Sequence, residues 1–184
     1  MRIIAGRLRG SRIAVPDRPG LRPTPDRLRE TLFNWLAPWI DGARCLDLYA
    51  GTGALGIEAL SRGAAGCVFV ERDAGLAAAL RENLARLGAS GGEVVQGEAL
   101  AYLRGASVRF DVVFVDPPFD AAAWDAVLAV LEECGVLGGG ALIHVESPRD
   151  AGHAAPPGWQ VHRQGHAGEV SHVLYRRAKA DPLS

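Results

Sequence analysis

"RCLDLYAGTGALGIEALSRG", residues 44–63, decides the fold. Residues 44–49 form an apolar run of strand character, and residues 50–63 read as a loop followed by a helix. Gly51, Gly53 and Gly56 take Gly-x-Gly-x-x-Gly spacing at the junction. A strand, a glycine turn and a helix open a βαβ unit, and the alternation continues downstream. "CVFVER" (67–72) is a strand, residues 74–87 a helix closed by Gly88, "EVVQG" (93–97) a third strand and residues 98–104 a short helix. "FDVVFVD" (110–116) is a fourth strand, followed by a helix over 121–134. "GALIHVES" (140–147) is a fifth, and "WQVHRQ" (159–164) with "VSHVLYRR" (170–177) resembles a closing hairpin. Continuously apolar strands separated by helices imply an α/β fold, a mostly parallel sheet covered on both faces with right-handed crossovers. Ligands in such sheets bind at the carboxyl ends of strands, near the switch point of the strand order.

Upstream of the strict alternation, "RIIAGRLRGSRIAV" (2–15) alternates about a glycine-rich centre and predicts a small hairpin. Thr24 is placed to cap a helix with Pro25 at its first position, and Leu28, Leu32, Trp35, Leu36 and Trp39 recur at helical spacing as a core stripe. The expectation is one domain of 184 residues: a basic arm over 1–20, a linking loop and helix over 21–40, a catalytic core over 41–178 and a tail over 179–184.

The chain is 48% hydrophobic and 22% charged, ordinary values for a globular protein. It has no apolar run of membrane-spanning length, and its first residues lack the apolar core of a signal peptide, so a cytoplasmic address is expected. Cys45, Cys67 and Cys134 are odd in number and far apart, which indicates neither a disulfide framework nor a zinc site. His162 and His166 lie in a strand-and-turn stretch with no third ligand nearby, and no metal is expected. The net charge of −1 hides an asymmetry, because residues 1–40 carry eight arginines against Asp17, Asp26 and Glu30. A basic terminal segment suggests a polyanionic partner. A solvated basic face is the plainer reading, and a GC-rich genome would also account for 19 of the 20 basic residues being arginine.

The glycine loop is shared by dinucleotide-binding enzymes and by S-adenosylmethionine-dependent methyltransferases. Electrostatics separates them. A dinucleotide site offers backbone N–H groups to a pyrophosphate, and Asp47, four residues before Gly51, would repel that dianion. S-adenosylmethionine carries a sulfonium and an ammonium, which a carboxylate suits. Glu71 ends the second strand 20 residues after Gly51, positioned to accept from ribose hydroxyls. Glu98, after the third strand, is placed to accept from the adenine amine, with the Ala99 N–H toward a ring nitrogen. As a plainer role, Glu98 would be a helix-start acid. With Ala50, Thr52 and Arg72, these residues make the candidate donor pocket.

Asp116-Pro117-Pro118-Phe119 closes the fourth strand. An aryl amine is planar because its lone pair is conjugated into the ring. Two acceptors on its two N–H bonds, the Asp116 carboxylate and the Pro117 carbonyl, favour pyramidalisation and return the lone pair to nitrogen. Phe119 offers a stacking face for a flipped base. Pro118 restricts Pro117 to an extended conformation. A bare turn is the competing reading.

"RIIAGRLRG", "GLRPTPDRLRETLFNWL", "CLDLYAGTGALGIEALSRGA", "VFVER", "VFVDPPF" and "ALIHVES" together resemble the RsmD family, bacterial methyltransferases that modify the 2-amino group of one guanine in 16S ribosomal RNA. The resemblance implies a monomeric, Rossmann-like class I methyltransferase fold with a seven-stranded sheet, its last strand antiparallel, plus an N-terminal hairpin. It implies S-adenosylmethionine as methyl donor and rRNA of the small subunit, or an assembly intermediate of it, as partner. Asp47, Gly51, Gly53, Glu71, Glu98 and Asp116 would then line the donor pocket, and Arg2, Arg7, Arg9 and Arg12 would contact phosphates. Arg22 and Thr24 would close over either the donor or the base. Alternatives are an adenine 6-amino methyltransferase, an NAD-binding oxidoreductase, and an RNA-binding assembly factor without turnover.

Overall fold

The computed structural model describes residues 1–21, 24–118 and 123–179. Its helices are α1 (Asp26–Ile40), α2 (Ala54–Ser61), α3 (Ala74–Leu87), α4 (Ala99–Gly105) and α5 (Ala123–Glu133). The strands are β1 (Arg44–Asp47), β2 (Gly66–Glu71), β3 (Gly92–Gln96), β4 (Phe110–Val115), β5 (Leu137–Pro148), β6 (Trp159–Ala167) and β7 (Val170–Arg177). The seven strands form a mixed, mostly parallel sheet in the order β3-β2-β1-β4-β5-β7-β6. The chain divides into two compact units, residues 1–99 and residues from 100 onward.

In the first unit β1 pairs in parallel with β2, and β2 with β3. Every residue of α2 is buried, and Leu46, Ile57, Phe69 and Leu80 form the centre of this core at 0–1% exposure. In the second unit β4 pairs in parallel with β5, and β7 inserts between β5 and β6, antiparallel to both. Val112, Val113, Phe114 and Val115 are all buried, as a strand covered on both faces requires. Among the described residues no helix is long and apolar enough to cross a membrane.

The arm doubles back as expected: around one antiparallel bridge, Arg2↔Arg12, the N–H groups of Ile3, Gly10 and Ile13 bond the carbonyls of Ser11, Ile3 and Met1. Between them, other arm donors turn to α2. Glu58, on α2 and fully buried, accepts the N–H groups of Ile4 and Ala5 at 3.0 Å each. Ser61 accepts the Leu8 N–H at 2.9 Å through its hydroxyl and the Arg7 N–H at 2.8 Å through its carbonyl. Ile3, Leu8 and Ile13 are buried, so the arm is a packed part of the unit. The expected Thr24 cap is absent: Pro25 holds the N-cap position, without a side-chain bond to the helix, and α1 begins at Asp26. Asp26 instead bonds the buried Arg29 at 2.6 Å.

Glu58 also meets Arg62 at 2.9 Å and Arg29 at 3.6 Å, and Arg29 donates to the Arg2 carbonyl at 2.9 Å. Replacing Glu58 by Ala would strand a buried guanidinium and two arm N–H groups, a loss of about 3–5 kcal/mol by analogy with broken buried pairs. Urea denaturation should show that loss, and trypsin should cut the released arm at Arg7, Arg9 or Arg12 faster than in the wild type.

Candidate active site

Three strand ends of the first unit, the carboxyl tips of β1, β2 and β3, carry the candidate donor residues. Asp47, the last residue of β1, is 4% exposed, and its carboxylate accepts the Gly56 N–H at 3.1 Å. It thus satisfies one of the unpaired donors at the start of α2. Gly53 is the N-cap of that helix with φ of 78°, a left-handed conformation that a side chain disfavours. A Cβ on Gly56 would lie 2.2 Å from the Phe69 ring and 2.7 Å from the Cys67 sulfur, so only glycine lets α2 sit this close to β2. Ala50 and Thr52 are buried, and the Thr52 hydroxyl accepts the Ala54 N–H at 3.3 Å.

Glu71, at the end of β2, accepts from Gly51 N–H at 2.8 Å through one oxygen and from Asp73 N–H at 3.0 Å through the other. The carboxylate therefore fastens the glycine loop to β2. A carboxylate oxygen can accept two hydrogen bonds and each of these accepts one, so each keeps one lone pair for a hydroxyl. Asp73 caps α3 through Leu76 N–H at 2.9 Å and pairs with Arg18 at 2.8 Å; that N–H, more than the arginine, holds its carboxyl below the usual range. The end of the arm and the start of the linking loop, Arg18 to Leu21, reach this edge, with the Leu21 side chain next to Gly51.

Glu98 is exposed and Ala99, the first residue of α4, is buried. Arg72 is exposed. Both charges act on Tyr49, a residue the motifs did not single out. Burial, and then the Glu98 carboxylate, push its phenol up to about 12, while Arg72 pulls it down. The only sequence signal for it is an aromatic side chain directly before the loop.

In the second unit, Asp116 emerges at the end of β4, Pro117 is buried and Pro118 exposed. Asp116 reaches the surface, yet the crowded strand ends desolvate its carboxyl and raise it to about 6. The neighbouring Glu146 carboxyl, on β5, acts in the opposite direction. Glu146, which sequence motifs did not flag, is 7% exposed. Trp124 is buried and donates its indole N–H to the Glu146 carbonyl at 2.9 Å, a packing role. Phe119 and Arg22 lie outside the described residues.

On the arm, Arg2, Arg7, Arg9 and Arg12 are all exposed. Arg2 donates to the Gly10 carbonyl at 2.8 Å, and the Arg12 carbonyl accepts from Arg86. Thr24 is half-buried just before α1. Among the described residues no group of three or more His, Cys, Asp or Glu side chains is arranged to hold a metal ion.

The model of the family described as Conserved hypothetical protein 95 matches residues 1–176. "Ribosomal RNA small subunit methyltransferase D" of Escherichia coli is 48% identical, over 96% of this chain and 90% of that protein. The protein of the same name from Haemophilus influenzae is 42% identical over 96% of this chain and 93% of its own length. Among solved structures, "Putative methyltransferase yhhF from Escherichia coli" superposes with a TM-score of 0.90 at 45% identity, covering 97% of this chain and 98% of that one.

Gly56 sets two effects against each other. Alanine is the better helix former by about 1 kcal/mol, but its methyl would collide with a buried ring, and overpacking costs about 1–3 kcal/mol. Packing should win, because the Phe69 ring is rigid and 0% exposed. Gly56→Ala should therefore lower stability in a thermal melt, where an exposed helical glycine replaced in the same way would raise it.

Proposed function

The chain belongs to the Conserved hypothetical protein 95 family, and from that premise we propose that it transfers a methyl group from S-adenosylmethionine to the exocyclic 2-amino group of a guanine in 16S ribosomal RNA. The observation that carries the reading is the near full-length identity to small-subunit rRNA methyltransferases D. The strand tips agree with it in chemistry. Carboxylates at β1 and β2, with no cationic residue inside the glycine loop, suit a cationic donor and oppose a pyrophosphate.

When bound, S-adenosylmethionine supplies a methyl group on a positively charged sulfur. The lone pairs left on Glu71 are assigned to the ribose hydroxyls, since its other capacity is spent on the loop. The backbone at Ala50, Gly51, Thr52 and Gly53 forms the floor, held in place by Glu71 and Asp47. Asp47 supplies negative potential toward the donor's ammonium, and Glu98 with the Ala99 N–H frames the adenine beside Tyr49 and Arg72. Asp116 and the Pro117 carbonyl accept the two N–H bonds of the guanine amine, and Phe119 stacks on the base. Positioning and fixed charge carry the acceleration. The exposed Arg2, Arg7, Arg9 and Arg12 of the arm orient the rRNA through its phosphates, giving salt-sensitive affinity without sequence choice, and Arg22 and Thr24 are assigned to closing over the donor or the base. The remaining parts of the reading are a cytoplasmic, monomeric enzyme acting on the small subunit or an assembly intermediate.

The decisive experiment is methylation of small subunits from a strain lacking this protein, with the modified base mapped by primer extension and mass spectrometry. One new 2-methylguanine is expected. A methyl group on an adenine, or none, would replace this reading. Asp116→Ala should abolish transfer while donor affinity in calorimetry stays within about threefold, as for an interaction made only in the transition state. Glu71→Ala should do the opposite first, weakening donor binding by about tenfold or more through loss of a charged hydrogen-bond acceptor.

A further inference from the structure

Asp116 does not stand alone at its strand tip. In the parallel register of β4 and β5, Phe114 lies beside His144 and Val115 beside Val145, so the next step brings Asp116 beside Glu146. Side chains two residues apart share a face, and this face carries Phe114 and Asp116 on β4 with His144 and Glu146 on β5. The Phe114 and His144 rings meet edge to face at 6.4 Å, which holds the register below the acids. One strand further, β7 places His172 opposite Glu146. His172 fits there because the facing residue of β6 is Gly165, whose missing side chain would stand 2.8 Å from the imidazole.

Two carboxyl groups in contact in a low-dielectric setting do not both ionise; the pair keeps one proton. Where that proton resides follows from solvent access. Glu146 is buried, between β4 and β7, whereas Asp116 reaches the surface. Charge is less costly on the group that water reaches, so the proton belongs on Glu146.

We propose that Glu146 is a positioning residue: it carries the single proton of an Asp116–Glu146 pair, donates it as a hydrogen bond to Asp116, and so keeps Asp116 ionised and aimed out of the strand tip. The proposal rests on the methyltransferase reading above and adds a second carboxyl group to it. Donation from Glu146 agrees with the direction in which that bond moves Asp116, downward against burial. His144, buried completely, is held neutral at about 3 by burial and by His172, so no imidazolium competes for the pair. His172, also lowered mainly by burial, is the ionisable group facing Glu146 from β7, and α5 contributes the Trp124 indole.

The chemistry balances. As the amine nitrogen forms its bond to the methyl carbon, the bond from that carbon to sulfur breaks and its electrons remain on sulfur as a neutral thioether. The nitrogen is left positive with two hydrogens, and one proton passes to Asp116. The pair thus begins the step with one proton and ends it with two. The second returns to water when the methylated base departs.

The test compares wild type, E146Q and E146A. Infrared spectra of the ligand-free protein at pH 7 should contain a protonated-carboxyl band that E146Q lacks. With S-adenosylmethionine and undermethylated small subunits, E146A should lose kcat on the order of 10–100-fold, the scale of a misplaced catalytic group. Its acid limb, expected near pH 6 in the wild type, should move to higher pH. E146Q, whose amide N–H still donates, should recover most of the lost kcat and keep the limb near its original position. An unchanged infrared spectrum in E146Q, a wild-type pH profile in E146A, or E146Q as impaired as E146A would each overturn the proposal. If E146A does not fold, the infrared difference and the E146Q profile decide alone. Wild type that shows the band but methylates no subunit would sink the functional reading and leave the carboxyl pair standing.

Discussion

Burying a carboxylate in the middle of a helix constrains everything around it. Glu58 sits in α2, where all residues are buried, and its charge is tolerable only because four groups converge on it. Two of those are backbone N–H groups of the arm, and two are guanidiniums, one from α1 and one from the end of α2 itself. A half-partnered buried ion would be worse than none. The arm is therefore part of the fold: the backbone of Ile4, Ala5, Arg7 and Leu8 bonds α2, while Arg2, Arg7, Arg9 and Arg12 stay exposed. The same helix begins at the glycine loop. One element thereby links a basic surface to the candidate donor site in the first unit.

Carboxylates at strand tips carry double duty throughout. Asp47 caps α2, Glu71 ties the loop to β2, and Asp73 caps α3. Each bond fixes backbone beside a strand tip, and in Glu71 each leaves acceptor capacity in the same atoms. Rigid first contacts are what a site needs when its contribution is positioning. Asp47 also has a purely structural role, as a strand-end acid that holds the start of α2. That role is compatible with the functional one, since a carboxylate that caps a helix still presents negative charge nearby.

The second unit shows a different economy of charge. Asp116 gains a neighbour that neutralises without cancelling: one proton between two carboxyls leaves a single negative charge at the surface-facing member. The polar row behind it, Glu146 and His172, is buried where β-strands usually carry apolar side chains. Buried polar groups of this kind need a reason to persist, and support of the strand-tip acid supplies one.

Much of this was legible in the amino-acid sequence. The glycine spacing, the continuous apolar strands and the regular alternation dictate a mostly parallel sheet, because period and turn chemistry are local properties of the chain. The elements fall where periodicity places them, to within a few residues, and the Asp116 motif sits at a strand end as its prolines require. What the sequence by itself did not determine are partnerships between residues distant along the chain. Thr24 has the chemistry of a cap, yet the helix starts at Asp26, where a bond to Arg29 is available. The arm alternates like a hairpin, yet the N–H groups of Ile4, Ala5, Arg7 and Leu8 go to Glu58 and Ser61, more than 50 residues away. Glu146 is one acid at the end of an apolar strand until the parallel register of β4 and β5 sets it beside Asp116. Local pattern specifies which segments form strands and helices; only folding decides which buried charges meet, because desolvation and pairing act across space and leave no period in the sequence.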